Sequence, residues 1–216
     1  MDVEDRDGSM VVINCTRKVQ NLSMHVDDIK KSLDNDGVIV YPTDTLYAIG
    51  CNPFKETAVR KTFEIKKRPL VAPLSIAVHD MEGINEIAVL NDLAIKVIKK
   101  FLPGPITLLL RKKDNVPDIL TSGSKNVAVR IPDHPVALEL LRRVGPLTAT
   151  SANLHGANEP INMEIPFKQF KNSVDFYIDC GKTQYGKPST IVDLSAGTIK
   201  IIREGALSIN AISDDG

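Results

Sequence analysis

Apolar positions along the chain fall into two rhythms, and they interleave from end to end. Leu22, Val26, Ile29 and Leu33 recur at helical spacing and Gly37 follows them, which predicts a helix over 21–36 with the glycine as its stop. Val38, Ile39, Val40 and Tyr41 are a continuous apolar run, the signature of a strand buried on both faces. That run stops at Pro42, and Thr43, Asp44 and Thr45 make a polar turn at its end. A first strand is predicted over 10–15 and a further apolar piece over 46–51. Val59, Phe63 and Ile65 lie among Arg60, Lys61 and Glu64, so a helix with one buried stripe starts at Thr57. Pro69 pushes Arg68 toward extended backbone and ends that helix by Lys67.

The alternation continues with a strand over 74–79, a short helix over 84–88 and a longer one capped by Asn91 and broken at Pro103, Gly104 and Pro105. Strands follow at 106–110 and from Val127, with Arg111, Lys112 and Lys113 read as a solvated edge. Pro135 opens a helix that Gly145 and Pro146 stop, and 147–150 is a short strand running into Ser151, Ala152 and Asn153. Phe167 and Phe170 mark a short helix, and strands are predicted over 174–178, 189–194 and 199–202 before a terminal helix or tail over 206–212. Strands and helices alternate without repeat, linker or composition break, so the expectation is one α/β domain over 1–216 with a mixed, twisted sheet.

Composition narrows the function classes. Lys plus Arg number 27 and so do Asp plus Glu, so no whole-molecule field draws nucleic acid, although local patches remain open. The chain is 43% hydrophobic with no run near the length of a membrane span, and residues 1–10 are acidic and polar, the opposite of a signal peptide; a cytoplasmic protein is expected. Three scattered cysteines, Cys15, Cys51 and Cys180, have no zinc spacing and are read as buried free thiols. No metal site is predicted.

The candidate chemistry sits at the ends of the strands. Lys66, Lys67 and Arg68 lie at a helix C-terminus, where the dipole favours cations in any case. Arg130 tips the reading toward an anion site, because a strand-end Arg points into the crevice outside a sheet edge. Thr43, His79, Ser151, Asn153 and Ser189 stand at four further strand ends. For each hydroxyl a turn or cap is the competing role, for His79 a structural one, and for Asp44 an Asx turn; Asp44 is not taken as a general base. No glycine-rich phosphate loop is present, so a nucleotide would be held by side chains and irregular loops.

Residues 41–47 (YPTDTLY), 66–74 (KKRPLVAPL), 101–108 (FLPGPITL), 127–134 (VAVRIPDH), 151–153 (SAN), 188–193 (PSTIVD) and 202–205 (IREG) resemble, in order and spacing, the successive motifs of the YrdC family. The resemblance runs over about 20–205. It implies a YrdC-like open twisted mixed sheet with flanking helices around a concave basic cavity, and L-threonylcarbamoyladenylate synthase activity as a nucleotidyltransferase. The implied substrates are L-threonine, bicarbonate or CO2, and ATP; pyrophosphate leaves, and the adenylate serves tRNA modification. Lys66 and Arg68 match the family's K-x-R as the catalytic pair. The resemblance gives Thr43, His79, Arg130, Ser151 and Ser189 to L-threonine, and Asn153 and Arg203, beside Lys66 and Arg68, to the nucleotide. Mg²⁺ would arrive with ATP, no organic cofactor is implied, and tRNA meets the chain either directly or through the downstream transferase complex.

Two departures stand out. Ala48 occupies a position the family usually gives to Gly, and Ile161 one where a hydroxyl is usual. The family's longer members carry a second C-terminal domain, so the short form is expected. Two other classes stand beside the synthase: a double-stranded RNA or tRNA-binding module, and a non-synthase sibling of the same fold.

Overall fold

The computed structural model describes residues 3–4, 10–15 and 20–213, so most of the acidic stretch 1–10 lies outside the described residues. The described strands form two six-stranded sheets rather than one. The first carries, in spatial order, β1 (Val3–Glu4), β2 (Val11–Asn14), β10 (Phe176–Asp179), β3 (Ile39–Tyr41), β4 (Ala48–Gly50) and β9 (Thr150–Ser151). The second carries β12 (Lys200–Arg203), β11 (Thr190–Asp193), β6 (Ile106–Arg111), β7 (Asn126–Arg130), β5 (Ser75–Ala77) and β8 (Leu147–Thr148). Both are mixed. In the first sheet β10 runs parallel to β2 and β3, and in the second β5 runs parallel to β7 and β11 to β6. The sheets meet where β8 hands over to β9 across Ala149, and there the predicted strand 147–150 is divided between them. The Tyr41 hydroxyl donates to the Thr148 carbonyl at 3.0 Å, and the Thr148 hydroxyl accepts from the Cys51 N–H at 3.0 Å.

Helices cover both faces. Leu22, Val26, Ile29 and Leu33 of α1 (Gln20–Asp34) and Val136, Ala137, Leu140 and Leu141 of α6 (Pro135–Val144) pack with Ile39 and Tyr41. Val38 and Val40 face the larger core, which takes Ala58, Val59 and Phe63 of α2 (Glu56–Ile65), Ile84 and Ile87 of α3 (Met81–Ile87), and Ala94, Val97 and Ile98 of α4 (Asp92–Phe101). The run 38–41 is continuously apolar because its two faces feed two cores. Two short helices, α5 (Asp118–Thr121) and α7 (Glu164–Phe170), and the terminal α8 (Ile209–Ser213) complete the chain.

Several expectations need correction. After α1 the left-handed residue is Asp36, at φ 61°, not Gly37; a Cβ at Gly37 would sit 2.6 Å from the Ser32 carbonyl oxygen, so glycine is needed for close approach. Helix α3 begins earlier than predicted because Asp80 caps it, accepting from Gly83 N–H at 2.9 Å. Strand β6 lies between β11 and β7, so Arg111, Lys112 and Lys113 run off an interior strand, with Arg111 exposed and the two lysines half-buried. Helix α5 was not predicted, being one turn long. None of the three cysteines forms a disulfide, and Cys180 is half-buried where burial was expected.

Candidate active site

Pro42 has no N–H to continue the ladder, so β3 ends there and the chain turns inward. Thr43 organises that turn: its hydroxyl donates to the Leu46 carbonyl at 2.6 Å and accepts from the N–H groups of Thr45 and Leu46. All of residues 41–51 are buried, so a charged side chain in the turn needs a partner. Arg130, the last residue of β7 in the other sheet, is that partner. Its Nη2 donates to Asp44 Oδ1 at 2.5 Å and its Nη1 to Thr45 Oγ1 at 2.7 Å. Burial pushes the Asp44 carboxyl up, and the Arg130 charge pulls it back.

A second group forms around Lys66, which caps α2 with 1% of its surface exposed. Its ammonium donates to the carbonyl oxygens of Ser151 and, at 2.6 Å, Asn153. The Ser151 hydroxyl donates to Asn153 Oδ1 at 2.7 Å, and the Asn153 amide holds the carbonyls of Ala157 and Asn158 at 2.8 and 3.0 Å. The S-x-N pair thus shapes the loop beyond it and turns two backbone carbonyls onto the lysine. Burial, with the nearby Arg68 charge, holds the Lys66 pKa down to about 7.

The third group lies at the start of β11 and the end of β12. Ser189 shares a hydrogen bond with the Thr107 hydroxyl at 2.7 Å, and Arg203 donates through Nε and Nη2 to the Ser189 carbonyl at 3.2 and 2.7 Å. Gly205 lets the two strands approach this closely, since a Cβ there would lie 2.2 Å from the Pro188 carbonyl oxygen. Partial burial lowers the Arg203 pKa; the Glu159 charge raises it and the Arg130 charge lowers it further.

The Sua5/YciO/YrdC family model, described as "Telomere recombination", matches residues 31–205. The chain belongs to the Sua5/YciO/YrdC family. A relative from Methanocaldococcus jannaschii is 43% identical over 185 residues, covering 86% of this chain and 87% of its own length. A Pyrococcus abyssi protein named threonylcarbamoyl-AMP synthase is 33% identical over 205 residues, 94% of this chain. This chain spans 59% of the length of that relative. The crystal structure of Pyrococcus abyssi Sua5 complexed with L-threonine superposes with a TM-score of 0.88 at 31% identity, covering 94% of this chain and 60% of that one.

Set against the residues expected of a Sua5/YciO/YrdC chain, the structure gathers Thr43 and Arg130 with the turn 43–45, Lys66 with Ser151 and Asn153, and Ser189 with Arg203. The first two groups adjoin, because β9 pairs with β4 and the Ala152 N–H bonds the Tyr47 carbonyl at 2.8 Å. Two expected residues bond elsewhere. Arg68 donates to the Ala72 and Pro73 carbonyls of its own turn at 2.9 and 3.0 Å, and His79 Nδ1 lies 3.1 Å from the Leu138 carbonyl of α6. Asp44, expected to close an Asx turn, is instead buried and ion-paired with Arg130. Among the described residues no group of three His, Cys, Asp or Glu side chains has the geometry to hold a metal ion, and no helix is long and apolar enough to cross a membrane.

Proposed function

We propose that this chain makes L-threonylcarbamoyladenylate from L-threonine, bicarbonate or CO2, and ATP, acting as a nucleotidyltransferase in the cytoplasm. The observation that carries the reading is the convergence of Lys66, Arg130 and the strand-end hydroxyls on adjoining elements, on motifs the chain shares with its relatives. The relatives' names and the threonine complex of the Pyrococcus abyssi neighbour support it over an RNA-binding module.

The neutral threonine amine bonds to the carbon of CO2 and its proton passes to solvent water or bicarbonate, giving a carbamate. A carbamate oxygen then bonds to the α-phosphorus of ATP as the bond to pyrophosphate breaks. No group need be covalently activated, so the protein's task is placement and charge neutralisation. Lys66 has three N–H donors and commits two to carbonyls, leaving one for an anion. Arg68, braced on its own turn through Nε and Nη2, presents Nη1 to the phosphates. Arg130 takes the threonine carboxylate, with Thr43, His79, Ser151 and Ser189 around the amino acid; Asn153 and Arg203 meet the nucleotide. Mg²⁺ enters as part of the ATP substrate. The adenylate then passes to the class of transferase that moves the threonylcarbamoyl group to an adenosine of tRNA.

Pyrophosphate release from ATP and bicarbonate, measured with L-threonine, with L-serine and without amino acid, tests this, with mass detection of the adenylate. Threonine-dependent release is expected, and release indifferent to threonine or absent overturns the reading. Lys66→Ala and Arg68→Ala should each abolish turnover in a folded protein; unaltered turnover in both would remove the roles given to them.

A further inference from the structure

The Asp44 carboxylate is not a turn-former. Its Oδ1 is spent on Arg130, the backbone N–H groups of Asp44 itself and Asp133 lie close enough to favour its charged form, and the Leu46 N–H that an Asx turn would need is given to Thr43, so the carboxylate closes no Asx turn. The side chain is fully buried and Arg130 is 6% exposed, which makes this an ion pair formed between the two sheets. A lone buried Asp is a large penalty, and a turn at this place has no need of one. What the pair does is define the guanidinium plane. Consecutive residues Asp44 and Thr45 hold the two terminal nitrogens, one bond each. Those anchors are themselves tied down: Thr45 Oγ1 lies 3.0 Å from Thr43 Oγ1, and the Asp44 carbonyl accepts from the Tyr185 N–H at 3.0 Å. Of the five guanidinium donors three remain, including Nε, which has no partner.

We infer that Asp44 is a positioning residue, which fixes the Arg130 fork from behind so that its remaining N–H groups meet the carboxylate of the amino-acid substrate. The inference rests on the synthase reading for the identity of that amino acid. Preorganisation of this kind acts on affinity, because an Arg held in its binding rotamer has little side-chain freedom left to lose.

Calorimetric titration of L-threonine, beside steady-state kinetics, tests this on Asp44→Asn and Thr45→Val. Asp44→Asn keeps the shape and removes the charge; we expect the threonine Kd and KM to rise about tenfold or more, while kcat stays within about threefold and the KM for ATP does not move. Thr45→Val removes one anchor and should raise the same two constants by a smaller factor. Threonine affinity unchanged in Asp44→Asn overturns the inference, as does a parallel loss of ATP and threonine affinity, the mark of a merely structural role. If Asp44→Asn does not fold, Thr45→Val decides alone, and unchanged threonine affinity there overturns the inference. A wild-type chain that binds threonine but releases no pyrophosphate removes the synthase reading, and the threonine affinities still judge Asp44. A wild type that binds no threonine overturns both.

Discussion

Lys66 is a cation in a place that disfavours cations. With 1% of its surface exposed and a pKa held down to about 7, it carries a desolvation penalty that its two carbonyl acceptors only partly offset. Between that value and the ordinary lysine value of 10.5, the unfolded chain binds the proton and the folded chain does not. Stability contributed at this residue therefore rises with pH through that window, and below it the whole penalty is present. Lys66→Met should be more stable than wild type by about 1–2 kcal/mol at or below neutral pH, with the difference shrinking toward alkaline pH. Urea denaturation of both proteins across that range measures it; a difference independent of pH would exclude the buried charge as its cause. The same variant should be inactive, a charge kept for function at the expense of stability. The lysine was legible as a candidate in the sequence, but its burial was not, because a helix-terminal lysine is ordinarily solvated.

At the scale of elements, the periodic segments were legible and their ends less so. Helix α4 starts where Asn91 was expected to cap it, and Asn91 Oδ1 accepts from the Ala94 N–H at 2.8 Å. Helix α3 starts at Met81 rather than near Ile84 because the cap lies ahead of its apolar residues, at Asp80. The side chain that matters to the helix is the aspartate. Asp80→Ala removes the side-chain cap of the first turn of α3 and should cost about 1 kcal/mol, seen as a lowered urea midpoint with an unchanged slope. Turnover should be retained, since the Asp80 side chain is exposed and its bond is to the Gly83 N–H of its own helix.

At the scale of the whole molecule, the site exists because two sheets meet. Tyr41 belongs to the first sheet and Thr148 to the second, and the phenol-to-carbonyl bond between them lies in the interior. Burial pushes the Tyr41 phenol well above its ordinary range, so it stays a neutral donor at any working pH. Tyr41→Phe keeps the ring and deletes the donor; we expect a loss of about 1 kcal/mol and a lowered Tm. A variant as stable as wild type would show that this bond adds nothing to the seam. Gly50 makes the seam close, since a Cβ there would lie 2.7 Å from the Tyr41 ring.

Local chemistry determined much by itself. The helical and strand periods, the proline and glycine stops and the Asn91 cap are short-range effects, and all are readable from neighbouring residues. So was the family, carried by seven strings in order. Tertiary structure alone decided that the strands divide into two sheets at Ala149, because hydrogen bonds between distant strands leave no mark on either one. It also decided the pairing of Asp44 with Arg130, 86 residues away, and the burial of Lys66 beneath the carbonyls of Ser151 and Asn153. Whether a charge is solvated, paired or isolated depends on what folds against it, and sequence neighbours do not carry that information.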